Sequence, residues 1–521
     1  MQSKRFLYLT VFISGMSTLA IEFTISRMLQ TVYGTSNLVW ANVIGMVLLF
    51  LTVGYFLGGR LADRHPRPDA FYLVITLAGF SSIFFLLLTS FILKTAASAL
   101  ADINIGVILS SLVGVIFAVG IPMTLLGCVS PFAIRLAVTD VREAGRISGR
   151  IYAISTWGSL LGTYLPTLII IPLAGSRITA LVFGLILLGF GLFGYWTQGS
   201  PSLRARLFSL LTLPLAALSL PWATGPIKAY PGQIFETESA YNYIQVIRQE
   251  DCNYLLLNEG QAYHSFYCDD NRIPRISVWS IMLAAPYFNE NAQPPDNLAV
   301  IGLAAGTIPK QYTQVFGPIP IDGIELDPHI VAAGREYFAM NEPNINVIVG
   351  DGRYQLSQLE QRYDVITLDA YKVPYIPWHL TTQEYFREVR DHLTSQGVIA
   401  VNVGRAPEDR RLVEAMTATL ETVFATVHTI DVPGSLNSIL VATVQPTEAA
   451  SLRENLADLP AEAPPLLQSA LDVAANNLVP TDPGERIVFT DQRAPVEIIV
   501  DSLVLRYLLQ QGPSGLPGSG Q

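Results

Sequence analysis

The sequence predicts two folds in one chain: a multi-span α-helical membrane domain, then a small β unit leading into a doubly wound α/β domain. Three observations predict it. Only 14% of the 521 residues are charged and the mean hydropathy is +0.39, against about 25% charged in soluble globular chains. The charge is unevenly placed. Residues 1–225 hold 14 Lys+Arg against 6 Asp+Glu, a net +8, and the remainder holds 18 against 36, a net −18. The hydrophobic pattern also changes, from long apolar runs to short runs separated by amphipathic stretches. A net charge of −10 excludes a general nucleic-acid binder, and three cysteines exclude a disulfide-dense scaffold.

The first part, 1–225, carries seven apolar stretches, at 6–29, 37–61, 71–93, 105–126, 151–173, 178–196 and 207–222. A span needs about 20 mostly apolar residues to cross about 30 Å of hydrocarbon. Gly158 and Gly162 on one face suit close helix contact. Basic residues gather before the first span and after the second, fourth and sixth. The positive-inside rule then places the N-terminus in the cytoplasm and, with seven crossings, the C-terminal part on the opposite, non-cytoplasmic face of a multi-pass cell-membrane protein. Glu22 lies inside the first span, five residues before Arg27. It is either a functional acid or the partner of that Arg. The run 54–64, with Gly54, Gly58, Arg60, Asp63 and Arg64, resembles the short loop motif of major-facilitator transporters. That family usually has twelve spans.

Residues 226–290 read as a small antiparallel β unit, with strands at 241–248, 253–257 and 261–267 around a turn at 258–260. If Leu257 faces Ala262, Cys252 faces Tyr267. If it faces Tyr263, Cys252 faces Cys268, and a cross-strand disulfide and an oxidising compartment follow. The sequence leaves both registers open.

Residues 291–450 alternate strands (298–302, 319–325, 346–349, 364–369, 398–403) with helices (308–316, 328–340, 354–361, 382–393, 408–424), and two strands follow at 426–432 and 438–444. Such βαβ alternation implies a mainly parallel sheet with its ligand beyond the strands' C-terminal ends. Those ends carry the candidate chemistry. Gly302 and Gly306 let the backbone approach a ligand beside a helix N-terminus. Glu325 can accept both hydroxyls of a ribose. Asp351, followed by Gly352, either takes an adenine amino group or caps the next helix. Asp369 ends the fourth strand facing the crevice, and Tyr371 follows it. Tyr371, Tyr375, Trp378 and His379, stiffened by Pro374 and Pro377, read as a lid or as a contact surface. Residues 451–511 read as a helical or capping segment, and the Gly/Pro/Ser-rich tail 512–521 as disordered. No His/Cys cluster has metal-ligand spacing.

Over about residues 236–445 the chain resembles the spermidine synthase (polyamine aminopropyltransferase) family, in particular its membrane-fused members. Tyr241 with Asn242, 257–261, Glu325 with Asp327, Asp351, Asp364 with Asp369, Thr382 with Tyr385 and Phe386, and Gly397 carry the resemblance. It implies a Rossmann-like methyltransferase fold with a small leading β unit. The activity it implies, in polyamine biosynthesis, is transfer of an aminopropyl group from decarboxylated S-adenosylmethionine to an amine. No prosthetic group is implied. Glu325 would hold the ribose, Asp351 would lie at the adenine, and Asp369 would orient and deprotonate the amine. Gly302, Gly306 and Gly352 would line the nucleoside, and Tyr241, Gln261 and Tyr371 the substrate. An alkylammonium with a pKa of about 10 has no lone pair until a base takes its proton.

The chain departs from the family pattern at three places. Ala305 and Lys372 stand where the family has acids, and Asn242 where it has Gln. A Lys in the amine channel repels a diamine. An S-adenosylmethionine-dependent methyltransferase, or a non-catalytic transporter or scaffold, is the alternative reading. The expected partners are a small amine acceptor, the lipid bilayer and, in a homo-oligomer, further copies of the chain, with no nucleic acid.

Overall fold

The computed structural model describes residues 4–33, 37–101, 107–199, 201–218, 230–258, 262–270, 276–371, 376–480 and 487–511. They divide into two units: residues 1–229 with 237–243, and residues 230–236 with 244–521.

The first unit is helical. Helices α1 (Lys4–Tyr33), α2 (Asn37–Arg64), α3 (Pro68–Ala101) and α4 (Val107–Gly127) are followed by α5 (Val129–Ala137), α6 (Ala144–Leu165) and α7 (Ile171–Thr197). Among the described residues four stretches are long and apolar enough to cross a bilayer: Lys4–Gln30, Trp40–Arg64, Gly114–Ala137 and Val141–Thr197. The last holds α6 and α7, joined by the π-helical turn Pro166–Ile170 and kinked at Gly175, whose φ is +80°. The seventh apolar stretch is described to residue 218 as α8 (Leu203–Leu210) and α9 (Thr212–Ala217). Leu211 between them keeps helical φ/ψ of −62°/−20°. Pro214 has no N–H to continue the ladder there. Gly158 and Gly162 hold α6 against α1: a Cβ at Gly162 would stand 2.0 Å from the Met16 carbonyl oxygen. Arg135 of α5 pairs with Asp63 of α2 at 3.3 Å, within the predicted basic loop region.

The hairpin tip 237–243 belongs to this unit. Glu238 accepts from Ser176 Oγ at 2.6 Å and from Ser176 N at 2.5 Å, at the start of the kinked part of α7. Arg27, near the C-terminal end of α1, donates to Ser239 O at 2.6 Å and to Ala240 O at 3.2 Å.

The second unit opens with a four-stranded sheet in the order β1 (Gln233–Glu238), β2 (Tyr243–Gln249), β3 (Cys252–Leu257), β4 (Tyr263–Cys268). The strand β1 is an addition to the sequence reading. The β3/β4 pairing puts Cys252 opposite Cys268, and the two form a disulfide. The register then slips between Leu255 and Leu256, so Tyr263 faces Leu256 rather than Leu257, and His264 becomes the extra residue of a β-bulge.

The α/β part follows the predicted alternation. Its sheet runs β12-β10-β11-β9-β8-β5-β6-β7, with β5 Leu298–Ile301, β6 Ile321–Glu325, β7 Ile345–Val349, β8 Tyr363–Leu368, β9 Leu393–Gly404, β10 Thr426–Asp431, β11 Asn437–Thr443 and β12 Leu478–Val479. Strands β7, β6, β5, β8 and β9 are parallel; β11 and β10 are antiparallel. Alternation divides the sheet between two cores. Ala299 and Ile301 join Tyr385, Phe386, Met416 and Phe489 on one face, while Leu298 and Val300 join Ile281, Phe288, Tyr312 and Leu471 on the other. The helices between strands are capped as their sequences require. Asp327 accepts from His329 N at 3.0 Å to start Pro328–Tyr337, and Thr382 accepts from Tyr385 N at 3.3 Å to start Gln383–Asp391. The strand order reverses between β5 and β8, which places a crevice at their C-terminal ends.

Candidate active site

Four strand ends meet around the β5 loop. Gly302 N donates to Ile324 O at 3.0 Å on one side, and Asp369 N donates to Ile301 O at 2.9 Å on the other. Gly302 has φ +90°, and a Cβ there would stand 2.4 Å from the Asp369 carbonyl oxygen. Only glycine fits both the conformation and the contact. Gly306 has φ +89° and caps Thr307–Phe316. The loop between them is clamped from β4: Ala305 N donates to Ser265 Oγ at 3.0 Å, and Phe266 N to Thr307 Oγ1 at 3.1 Å.

Glu325 is buried at the end of β6. Its Oε2 accepts from Ala304 N at 2.8 Å and its Oε1 from Asp327 N at 3.0 Å. Burial pushes its carboxyl up to about 7, against the pull of those backbone N–H groups. Gly350 N donates to Glu325 O at 2.9 Å, so the β7 end lies beside it. Asp351 does cap a helix: its Oδ1 accepts from Arg353 N and Tyr354 N, at 3.1 and 3.0 Å. Its Oδ2 lies 2.9 Å from His379 Nε2. Burial raises its carboxyl, but the Tyr354 N–H, His379 and the Arg353 N–H outweigh that and hold it low. Gly352 opens the capped helix Gly352–Ser357 against Ile301, whose Cγ2 would lie 2.6 Å from a Cβ.

Asp369 is held by both oxygens. Oδ1 accepts from Asn402 Nδ2 and Oδ2 from Trp279 Nε1, each at 2.9 Å. Asn437 Nδ2 donates to Asn402 Oδ1 at 2.9 Å, so the Asn402 amide has to turn its NH2 to Asp369. Burial raises the Asp369 carboxyl, and the two hydrogen bonds only partly offset it. Tyr371 donates to Asn402 O at 2.9 Å, and its phenol is raised by burial and by the nearby Asp369 charge. The geometry thus offers a fixed carboxylate that holds a proton more readily than an ordinary Asp, beside the ends of β5 and β9.

The structure therefore gathers Gly302, Gly306, Glu325, Asp351, Gly352, Asp369 and Tyr371 at adjoining strand ends. Tyr241 is different: it lies in the tip 237–243, grouped with the helical unit, and is exposed. Gln261, Lys372, Tyr375 and the tail 512–521 lie outside the described residues. Trp378 is exposed. Asp491, in the late turn between Thr490 and Arg493, accepts from Arg353 at 2.9 Å and from Thr382 Oγ1 at 2.6 Å. That turn is tied to the helix Asp351 caps.

Two site residues escaped the sequence reading. Asn402 had a signal, as the one polar residue in the apolar run 398–403. Trp279 had only a weak one, the Ser277 and Ser280 capping box around it. Nothing in the sequence ties that box to Asp369, 90 residues away.

Comparison with known proteins bears on this arrangement. Residues 299–453 match the spermine/spermidine synthase domain model. A probable polyamine aminopropyl transferase of Bifidobacterium longum is 31% identical over 51% of this chain and 61% of its own length. A polyamine aminopropyltransferase of Vibrio vulnificus is 28% identical over 44% of this chain and 74% of its own. The human eEF1A lysine and N-terminal methyltransferase is 27% identical over 31% of this chain and 25% of its own. The likeness to the spermine/spermidine synthase domain thus covers residues 299–453, and the chain spans about three fifths of the length of the Bifidobacterium relative.

Proposed function

We propose that the protein is a membrane-anchored aminopropyltransferase, using decarboxylated S-adenosylmethionine and a small amine acceptor. One observation carries the reading: Asp369 is fixed by Trp279 and Asn402 at the strand end beside Glu325 and the β5 glycine loop. Glu325 holds the ribose and Asp351 lies toward the adenine. Asp369 takes the amine's proton as its nitrogen attacks the carbon beside sulfur. The sulfonium leaves as a neutral thioether, so the chain supplies orientation and one proton acceptor. The raised carboxyl of Asp369 narrows the gap to the ammonium.

The membrane anchor rests on the apolar helices, and the Cys252–Cys268 disulfide favours an oxidising, non-cytoplasmic face. The test is release of methylthioadenosine by the purified full chain with decarboxylated donor and a panel of amines. Asp369→Asn lowers turnover by about 10³-fold, within the range of a lost general base. Retained turnover removes Asp369 from that role. Ala305, where the family has an acid, keeps methyl transfer on the same fold as the second reading; release of S-adenosylhomocysteine from intact donor identifies it.

A further inference from the structure

The likeness to the synthase domain ends at residue 453, yet a later segment reaches the wall of the site. Phe489 is buried in the core that Tyr385 and Met416 share. Its N–H donates to Thr419 Oγ1 at 2.9 Å, and its carbonyl accepts from Gln383 N at 2.8 Å. In the turn that follows, Thr490 N donates to Arg493 O at 3.0 Å and Arg493 N to Thr490 O at 2.8 Å. Asp491 is thereby presented at the start of the helix Gln383–Asp391. There Thr382 Oγ1 donates to its Oδ1 at 2.6 Å, and its N–H donates to Glu384 Oε2 at 2.9 Å.

What Asp491 grips is Arg353. The guanidinium lies between two carboxylates and forks onto each. Nη1 and Nη2 meet Asp491 Oδ1 and Oδ2 at 2.9 and 3.0 Å, and Nε and Nη2 meet Glu388 Oε2 and Oε1 at 2.8 and 2.6 Å. Such forks fix a side chain in angle as well as in place. The Arg353 side chain is only 20% exposed, so these pairs are partly shielded from water. Arg353 in turn holds both oxygens of Asp351. Its own N–H donates to Oδ1 at 3.1 Å. Its Nη1 donates to His379 O at 3.3 Å, and His379 Nε2 meets Oδ2 at 2.9 Å. A carboxylate has about four acceptor positions. Arg353 N, Tyr354 N and His379 Nε2 occupy three of them at Asp351. The direction of the remaining position follows from where His379 stands. The Asp351 side chain is 41% exposed, so a ligand's N–H can reach it.

We propose that Asp491 is a positioning residue for the adenine end of the nucleoside donor. Through Arg353 and His379 it aims the remaining acceptor position of Asp351 at the exocyclic amino group. The proposal rests on the reading that places Asp351 toward the adenine. Glu388 alone balances the Arg353 charge. The second fork comes from beyond the matched domain and fixes the plane of the guanidinium.

The test is calorimetric binding of two nucleosides to the full-length protein in detergent micelles. One is methylthioadenosine, the other the analogue that carries hydrogen in place of the amino group. Wild type binds methylthioadenosine tighter by about 10-fold or more, the worth of one hydrogen bond to a charged group. In Asp491→Asn that preference shrinks to about 3-fold or less, while affinity for the analogue stays within about twofold. Arg353→Lys keeps the charge but cannot fork onto two carboxylates, and it loses the preference in the same way. Melting temperature shows that each variant is folded, and either folded variant decides the matter. An unchanged preference overturns the proposal and leaves the nucleoside reading standing. An equal loss of affinity for both nucleosides does the same, because it makes the clamp a brace for stability. Equal affinity of wild type for the two nucleosides removes Asp351 from the amino group and overturns the proposal. Wild type that binds neither removes the nucleoside reading and this proposal with it.

Discussion

Trp279 and Asn402 set the properties of Asp369, and their effect has a definite sign. Both donate to the carboxylate and so stabilise its ionised form against the rise caused by burial. Trp279→Phe keeps the ring's bulk and removes the N–H. A hydrogen bond to a charged group is worth about 1.5–3 kcal/mol, and its loss frees the carboxylate to turn out of line with the amine, so the variant's turnover falls by about 10-fold or more. The acid limb of its pH–rate profile moves to higher pH, because the carboxyl then holds its proton further up the scale. An unmoved limb removes Trp279 from this role. Glu325 gives a stability prediction. Its folded pKa of about 7 lies above the ordinary 4.5. The folded state therefore binds the proton more tightly than the unfolded state does. The linked stability is present in full below about pH 4.5 and is lost as pH rises through about 7, by at most about 3 kcal/mol. The melting temperature of the unliganded full chain declines between pH 5 and 8, and Glu325→Gln removes most of that decline. An identical pH slope in the variant refutes the assignment.

The bulged strand β4 links three parts of the α/β unit. Cys268 ties it to β3, Ser265 and Thr307 tie it to the glycine loop, and Phe266 packs on Trp279 with ring centroids 5.6 Å apart. The disulfide joins residues 16 apart. A bridge closing a loop of that size contributes about 3 kcal/mol, chiefly by restricting the unfolded chain. Cys252→Ser with Cys268→Ser, or reduction by dithiothreitol, lowers the melting temperature by several degrees and weakens nucleoside binding, because the clamp on Ala305 loosens. Calorimetry on oxidised and reduced protein checks both, and unchanged donor affinity after reduction separates the bridge from the loop. At this scale the sequence was most legible where one residue had one partner. The βαβ alternation follows from local chemistry, and the cap at Asp351 is one of the two roles the sequence left open for it. The β3/β4 register was open because a single bulge at His264 shifts every later pair, and no local signal marks it.

Across the whole chain, the charge division separates a basic helical part from an acidic α/β part. The tip 237–243 meets the C-terminal end of α1 and the start of the kinked part of α7. The topology expected from the sequence, with the N-terminus in the cytoplasm and seven crossings, puts both ends on the far face. Alkaline phosphatase fused to the C-terminus in a bacterial host is expected to be active and a fluorescent-protein fusion dark; the reverse pattern moves the α/β unit to the cytoplasm. By itself, the amino-acid order determined the two fold classes and the acids at successive strand ends, because periodicity and strand alternation act over a few residues. Only the tertiary structure decided that Trp279 and Asn402 grip Asp369, that Cys252 meets Cys268, and that Arg27 donates to Ser239 O and Ala240 O. Each depends on which of several compatible partners is brought near by distant chain segments, and packing alone makes that choice.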